Sequence, residues 1–302
     1  MDRAKRLELI VLLGALTAFA PMSIDMYLPS LPTLERVFAA STAEVQRTIS
    51  TFFLGFACGQ ALYGPVTDRF GRRAPLYVGL SLFTAASAGC ALAPSVGALA
   101  GFRLVQALGA CAGVVVARAV VRDLFPPREA PRIYAALMLV MGLAPMLAPL
   151  VGGQILVHLG WAAVFWVLAA FGALCLLAAH LRLPETHRAE GRHPPGLGHA
   201  LAGYGRLIAD RHFMGYGLTG GASMGGLFAY IAGSPFVFIE LHGVPAQHFG
   251  WFFGANAAGF ILAAQVNSRL LRRASSEAIL RRANLVQAAA GLAVLAAAAT
   301  GA

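Results

Sequence analysis

The stretch that decides the fold is TFFLGFACGQALYGPVTDRFGRR, residues 51–73, an apolar run closed by a short loop that holds one aspartate and three arginines. At an offset of 200 residues, WFFGANAAGFILAAQVNSRLLRR, residues 251–273, repeats it without a gap at 9 of 23 positions. The matches include Phe52 with Phe252, Phe53 with Phe253, Gly59 with Gly259, and Arg69, Arg72 and Arg73 with Arg269, Arg272 and Arg273. Apolar runs match one another by chance because they draw on few residue types, whereas three arginines aligned at the same end do not. We read the two stretches as equivalent elements of two parallel repeats.

Outward from residue 51 the same kind of run recurs. Nine runs are long enough to cross a bilayer as helices, at 9–28, 47–66, 76–94, 97–120, 134–158, 162–181, 213–239, 249–267 and 283–302. Of the 302 residues, 58% are hydrophobic and 12% charged. That is about half the charged fraction of a soluble domain and speaks against a water-soluble enzyme. The first run follows Arg3, Lys5 and Arg6 and contains Ala18-Phe19-Ala20, as a cleaved signal would. Pro21 directly after that triplet hinders cleavage and the run continues beyond it, so we read a retained first span. The fold class is an all-α polytopic membrane protein.

The formal charge of +10 is a topology signal. Twenty of the 23 Lys and Arg fall before the first span or in even-numbered connections, among them Arg118, Arg122, Arg128 and Arg132 after span four. Basic residues stay on the cytoplasmic side, so the N-terminus is expected in the cytoplasm and the end of this chain on the outer side. Clusters between apolar runs are not a groove-binding face, and nucleic acid is not an expected partner. Cys58, Cys90, Cys111 and Cys175 lie in separate spans without disulfide or zinc spacing. We read them as small packing residues and expect no metal centre.

The longest polar stretch separates six spans from three. We read residues 1–182 as a six-span N-terminal half, 183–212 as a cytoplasmic linker with little fixed structure, and 213–302 as three spans of a C-terminal half. Parallel repeats of six spans are an architecture of membrane transporters, and on that pattern roughly 80 residues and three spans of the second repeat are absent.

The loop Gly64-Pro65-Val66-Thr67-Asp68-Arg69-Phe70-Gly71-Arg72-Arg73 is the most specific local signal. Gly64 and Gly71 permit a tight reversal, Asp68 is suited to cap the following helix, and the arginines hold the loop at anionic headgroups. Basic charge alone would need no such pattern. The loop resembles the signature between spans two and three of the major facilitator superfamily. The resemblance narrows to the bicyclomycin resistance (Bcr/CflA) group of drug:proton antiporters through residues 25–32 (DMYLPSLP), 103–109 (RLVQALG), 117–123 (ARAVVRD), Gly142 with 148–153 (APLVGG), and 233–237 (GSPFV). Ala148 stands where many relatives have Gly. The major facilitator type implies a complete six-span half plus three spans of the second.

Asp25 and Arg103 are ionisable groups inside apolar spans, which cost a few kcal/mol each on insertion scales and so usually have a partner or a function. Counted from the outer ends of their spans, they lie roughly 5 and 9 Å deep. They can face each other, either as a proton-coupling carboxylate with its charge partner or substrate-site organiser, or as a fixed ion pair; otherwise Asp25 is interfacial and merely faces water. Gln60, Gln106, Asn256 and Gln265 either line a cavity or bond between helices. Tyr27, Phe52, Phe56, Tyr230 and Phe236 either offer an aromatic surface to a ligand or face lipid. Gly55 with Gly59, Gly109 with Gly113, and Gly217, Gly221 and Gly225 have the spacing of close helix packing. Pro145 and Pro149 each remove a hydrogen bond from span five and kink it beside Gly152 and Gly153.

The resemblance implies a proton-coupled exporter of small amphipathic toxic compounds in a bacterial inner membrane. It would be monomeric when full length, use no cofactor, and draw its energy from the proton gradient. The span-five kink would then limit proton leak, and the Asp68 loop would pack on an eleventh span. Two alternatives remain at this point. One is a metabolite facilitator of the same superfamily; the other is a truncated fragment that inserts and transports nothing.

Overall fold

The computed structural model describes residues 3–186, 197–271 and 273–300. Among them are nine helical segments long and apolar enough to cross a membrane. The chain order is α1 (Arg3–Asp25), a 3-10 turn (Leu28–Ser30), α2 (Leu31–Phe38), α3 (Thr42–Phe70), α4 (Arg73–Ala91), α5 (Val96–Leu124), α6 (Ala130–Leu159) and α7 (Trp161–Arg182). There follow α8 (Leu197–Ala209), α9 (Arg211–Pro235), a π-helical segment (Phe236–Leu241), α10 (Phe249–Leu270) and α11 (Ser276–Thr300).

The helix starts follow local chemistry. Ser41 and Glu44 form a reciprocal capping box on α3, Ser95 accepts from the Ala98 amide to cap α5, and Asp210 accepts from His212 and Phe213 to cap α9. Each satisfies amides that a helix leaves unpaired.

Three expectations need correction here. The first span does not end near residue 28, because Pro29 and Pro32 occupy the first turns of the 3-10 turn and of α2, where proline needs no amide and starts a helix. The span continues to Phe38, so Asp25 lies well before its end. The linker is not structureless throughout: α8 forms within it, with Tyr204 and Ile208 four residues apart on a helical period, and Tyr204 donates to the Ala61 carbonyl at 2.8 Å. Residues 187–196 of the linker, with Arg188 and Arg192, lie outside the described residues. Finally, nothing among the described residues comes within 4 Å of a Cβ built at Gly217, Gly221 or Gly225, so these glycines make no close helix crossing.

Helices α1, α3, α4 and α6 pack against α5, and α7 packs against α4 and α1. A Cβ at Gly109 would sit 2.6 Å from the Gly79 carbonyl of α4, and one at Gly113 would sit 2.6 Å from the Leu16 carbonyl of α1. Backbones this close leave no room for a side chain. Arg6 pairs with Glu129 at 2.6 Å, Arg182 with Glu8 at 3.0 Å, and Arg72 with Asp123 at 2.9 Å. These pairs put the start of α1, the α3–α4 and α5–α6 connections and the end of α7 on one side of the bundle. The repeat is visible in the helix ends, since α3 closes at Phe70 and α10 at Leu270, an offset of 200. Arg272 lies outside the described residues.

The last three spans meet the first six along an antiparallel seam of α6 and α10. A Cβ at Gly153 would lie 2.5 Å from the Ala246 carbonyl, and one at Gly250 would lie 2.6 Å from the Leu150 amide nitrogen. Further along, Gly254 approaches Met146 and Gly142 approaches Ile261 at 3.6–3.7 Å. The seam is therefore tightest at the end opposite Arg72.

Candidate functional site

Beneath that seam lies a cavity of about 570 Å³ between the first six spans and the last three. Asp25, the last residue of α1, is 3% exposed and lies on its wall. No hydrogen bond or ion pair reaches its carboxylate among the described residues. Gln60 from α3, Pro145 from α6, and Tyr230 and Asn256 from α9 and α10 line the same space. Asn256 donates through Nδ2 to the Tyr230 hydroxyl at 2.6 Å, which leaves its Oδ1 as an acceptor. Phe56, Phe228, Phe253 and Phe260 add an aromatic surface to the wall. Phe53 and Phe228 meet across the two parts at 4.1 Å between ring centres.

Arg103 is elsewhere. It is wholly buried inside the first six spans, its Cζ 4.2 Å from the ring centre of Phe52 and 4.7 Å from that of Tyr27. Cations above aromatic faces are stabilised by the ring quadrupole, and the flat guanidinium fits between two such faces. Its Nη1 donates to the Ser23 carbonyl at 2.9 Å and to Gln106 Oε1 at 2.7 Å. Gln106 passes the chain on to the Ser87 hydroxyl at 2.8 Å, and Tyr27 bonds to Thr48 at 2.8 Å. Nε and Nη2 of Arg103 have no partner among the described residues.

The expected pairing of Asp25 with Arg103 is therefore not formed. Although the two approach the same stretch of α1, the arginine binds a backbone carbonyl there and the carboxylate faces the cavity. Tyr27, Phe52 and Gln106 are corrected with it, because they build the arginine's pocket and do not line the cavity. Phe236 and Gln265 are likewise absent from its wall. Arg118 is on the wall and was hidden by its charge: counted among loop residues, it lies within α5, near its C-terminal end. The detectable signal was its position inside the apolar run 97–120. A groove of about 950 Å³ between α4 and α7 lies apart from this site and holds no carboxylate.

The loop between α3 and α4 forms a second polar centre, at the end of the bundle where α1 begins and α7 ends. Gly71 has φ +81°, and a Cβ there would press on Glu185 at 2.8 Å. Arg72 is 3% exposed and donates through Nε to Asp123 Oδ2 at 2.9 Å and through Nη1 to Asp68 Oδ1 and the Thr67 carbonyl, both at 2.9 Å. Burial works against its charge, but the bonds to Asp123 and Asp68 outweigh it and hold the guanidinium above its ordinary pKa. Asp68 does not cap α4, as the sequence suggested, because it lies within α3. Glu185 takes that place, accepting from the Arg72 and Arg73 amides at 2.9 and 3.1 Å. Thr186 donates to Asp123 at 3.0 Å, while Arg73 donates to the Tyr77 hydroxyl at 2.8 Å. Arg69 lies over the Phe70 ring, and nothing among the described residues comes within 4 Å of a Cβ at Gly64.

The sequence profile described as the Major Facilitator Superfamily matches residues 13–302. The chain belongs to the Major Facilitator Superfamily. A bicyclomycin resistance protein homolog of Haemophilus influenzae is 34% identical over 283 residues, covering 94% of this chain and 71% of its own. This relative supports placing this superfamily member in the Bcr/CflA group. An uncharacterized MFS-type transporter of Bacillus subtilis is 42% identical over 259 residues, covering 85% of this chain and 64% of its own. This superfamily member thus spans about two thirds of the length of these curated relatives. The inward-facing, unoccupied structure of a bacterial homolog to the human lysosomal transporter Spinster superposes with TM-score 0.72 at 19% identity, covering 91% of this chain and 65% of its own. That likeness concerns the fold.

Proposed function

We propose that this chain carries the proton- and substrate-handling site of a proton-coupled antiporter that exports small amphipathic compounds from a bacterial cell across its inner membrane. The observation that carries the reading is Asp25, an unpartnered carboxylate on the wall of an apolar cavity between two groups of spans. An intramembrane ionisable group is retained at a cost of a few kcal/mol when it serves transport. A carboxylate that meets water or a positive charge in one state and an apolar wall in another exchanges its proton between them.

In the mechanism, the α6–α10 seam closes the outer end while the cavity admits an amphipathic compound from the inner side. Rocking of the two groups of spans then parts that seam and opens the outer end. Protonation of Asp25 from outside removes the charge on the wall and resets the site. The relative named for bicyclomycin resistance supports export over import. In this reading the N-terminus and the Arg72 loop are cytoplasmic, and α11 ends on the outer side.

The test is transport by purified protein in liposomes under an imposed pH gradient. Wild type should accumulate a neutral amphipathic drug against its gradient in a proton-dependent way, and Asp25→Asn should insert normally and lose that dependence. Proton-driven accumulation unchanged in Asp25→Asn would overturn the assignment.

A further inference from the structure

We propose that Arg118 gives the inner end of the cavity a subsite for an anionic or hydrogen-bond-accepting group, so that the preferred cargo is an aromatic or apolar body with such a group at one end. The inference rests on the cavity reading above and adds its polarity. Asp25 is the one carboxylate on the described wall and Arg118 the one cation. Arg103 bonds to the α1 carbonyl of Ser23, which fixes the level of Asp25 on α5. Arg118 lies fifteen residues further along the same helix, roughly 22 Å at 1.5 Å per residue, so the two charges mark opposite ends.

Four other arginines at this end of the bundle are committed to carboxylates. Arg72 binds Asp123 and Asp68, Arg122 approaches both, Arg6 binds Glu129 and Arg182 binds Glu8. Arg118, one turn before Arg122, has no carboxylate partner among the described residues, and only its backbone carbonyl is used, by the Tyr134 hydroxyl. A guanidinium presents planar paired donors that match a carboxylate, sulfonate, nitro or carbonyl group. Arg118 is exposed, so these donors are open to a ligand. A lipophilic cation of the same shape meets repulsion at the same end.

The test uses two rigid ions of nearly equal shape and opposite charge, tetraphenylborate and tetraphenylphosphonium, titrated into the purified full chain in neutral detergent with thermal unfolding as readout. Wild type should bind the borate about tenfold tighter than the phosphonium, one 1.4 kcal/mol step. Arg128→Gln, which removes an exposed loop charge, should keep that ratio, and Arg118→Gln should bring it close to one. Arg118→Lys, which retains the charge, should keep most of the preference. The two ions partition differently into micelles, so affinities are compared at free concentrations corrected for each ion's measured partition, which is common to all four proteins. A ratio unchanged in Arg118→Gln, a wild type that favours the phosphonium or binds neither ion, or equal loss in Arg118→Lys and Arg118→Gln would overturn the proposal. Loss of this selectivity with proton dependence through Asp25 intact would remove the subsite and leave the antiporter reading standing.

Discussion

Arg103 Nη1 donates to the carbonyl of Ser23 at 2.9 Å, two residues before Asp25, yet forms no ion pair with the Asp25 carboxylate. The helix that carries the acid is thus gripped by its backbone while the acid itself faces the cavity. The grip comes from a charge held by two aromatic faces and one glutamine, with two donors left over. Retaining that charge without its flat shape should be the worst exchange. A lysine keeps the burial cost and loses the double stack and the fixed fork, whereas a methionine fills the space and removes the charge, a replacement often neutral for buried ions. Arg103→Lys should therefore unfold at a lower temperature than Arg103→Met in the same detergent. The opposite order would show that the charge, and not the shape, sustains the pocket.

The Arg72–Asp123 contact is a different kind of pair, with carboxylate side chains 15% and 56% exposed at Asp123 and Asp68 and the guanidinium 3% exposed. Removing one partner leaves the other half-buried and poorly paired, a loss of about 1–3 kcal/mol. Arg72→Met and Asp123→Leu should each lower the midpoint of thermal unfolding, and the double variant should lose clearly less than the two losses combined. Because the folded pKa of Arg72 is raised, its contribution is fully present below the ordinary arginine range and is lost only as pH rises beyond the folded value. The coupling should accordingly not weaken between neutral and moderately alkaline pH. Strict additivity would place the two residues in separate roles.

The spans and their order were legible because apolar length is a local property, and the repeat was legible because its arginines survive at one helix end. Asp25, Gln60, Tyr230 and Asn256 were legible as polar or amphipathic residues within apolar runs. Tyr27 and Gln106 carried the same signal and belong to the arginine's pocket, since sequence does not say which face of a helix meets a cavity and which meets a neighbour. Asp25 looked shallow because the first apolar run was bounded at residue 28, and only the path beyond it shows that Pro29 and Pro32 begin further helical turns. The α4 cap was misplaced for a related reason: Glu185 reaches it from far along the chain, and no local pattern announces a partner at that separation.

That distant cap should matter more than an exposed ion pair of similar length. Glu185 accepts from two backbone amides at the start of α4, and loss of a cap of this kind costs about 1 kcal/mol. Glu8 and Arg182 are 46% and 60% exposed at 3.0 Å, and such pairs contribute about 0–1 kcal/mol. Glu185→Ala should lower the unfolding temperature measurably, while Glu8→Ala leaves it within error. Equal effects would mean that the α4 start is held by other contacts.

Gly152 and Gly153 are adjacent and should nonetheless behave differently. A Cβ at Gly152 would overlap the Met26 carbonyl, inside the first six spans, whereas one at Gly153 meets the Ala246 carbonyl and Gln247 across the seam. Overpacking within a bundle strains it in every conformation and costs about 1–3 kcal/mol. Overpacking across a seam that opens and closes acts on one conformation and shifts the balance between two. Gly152→Ala should therefore lower thermal stability. Gly153→Ala should leave stability nearly unchanged and lengthen the distance between spin labels placed at Val37 and Leu241. An unchanged distance distribution in Gly153→Ala would show that the close approach of α6 to residue 246 does not hold the outer end shut.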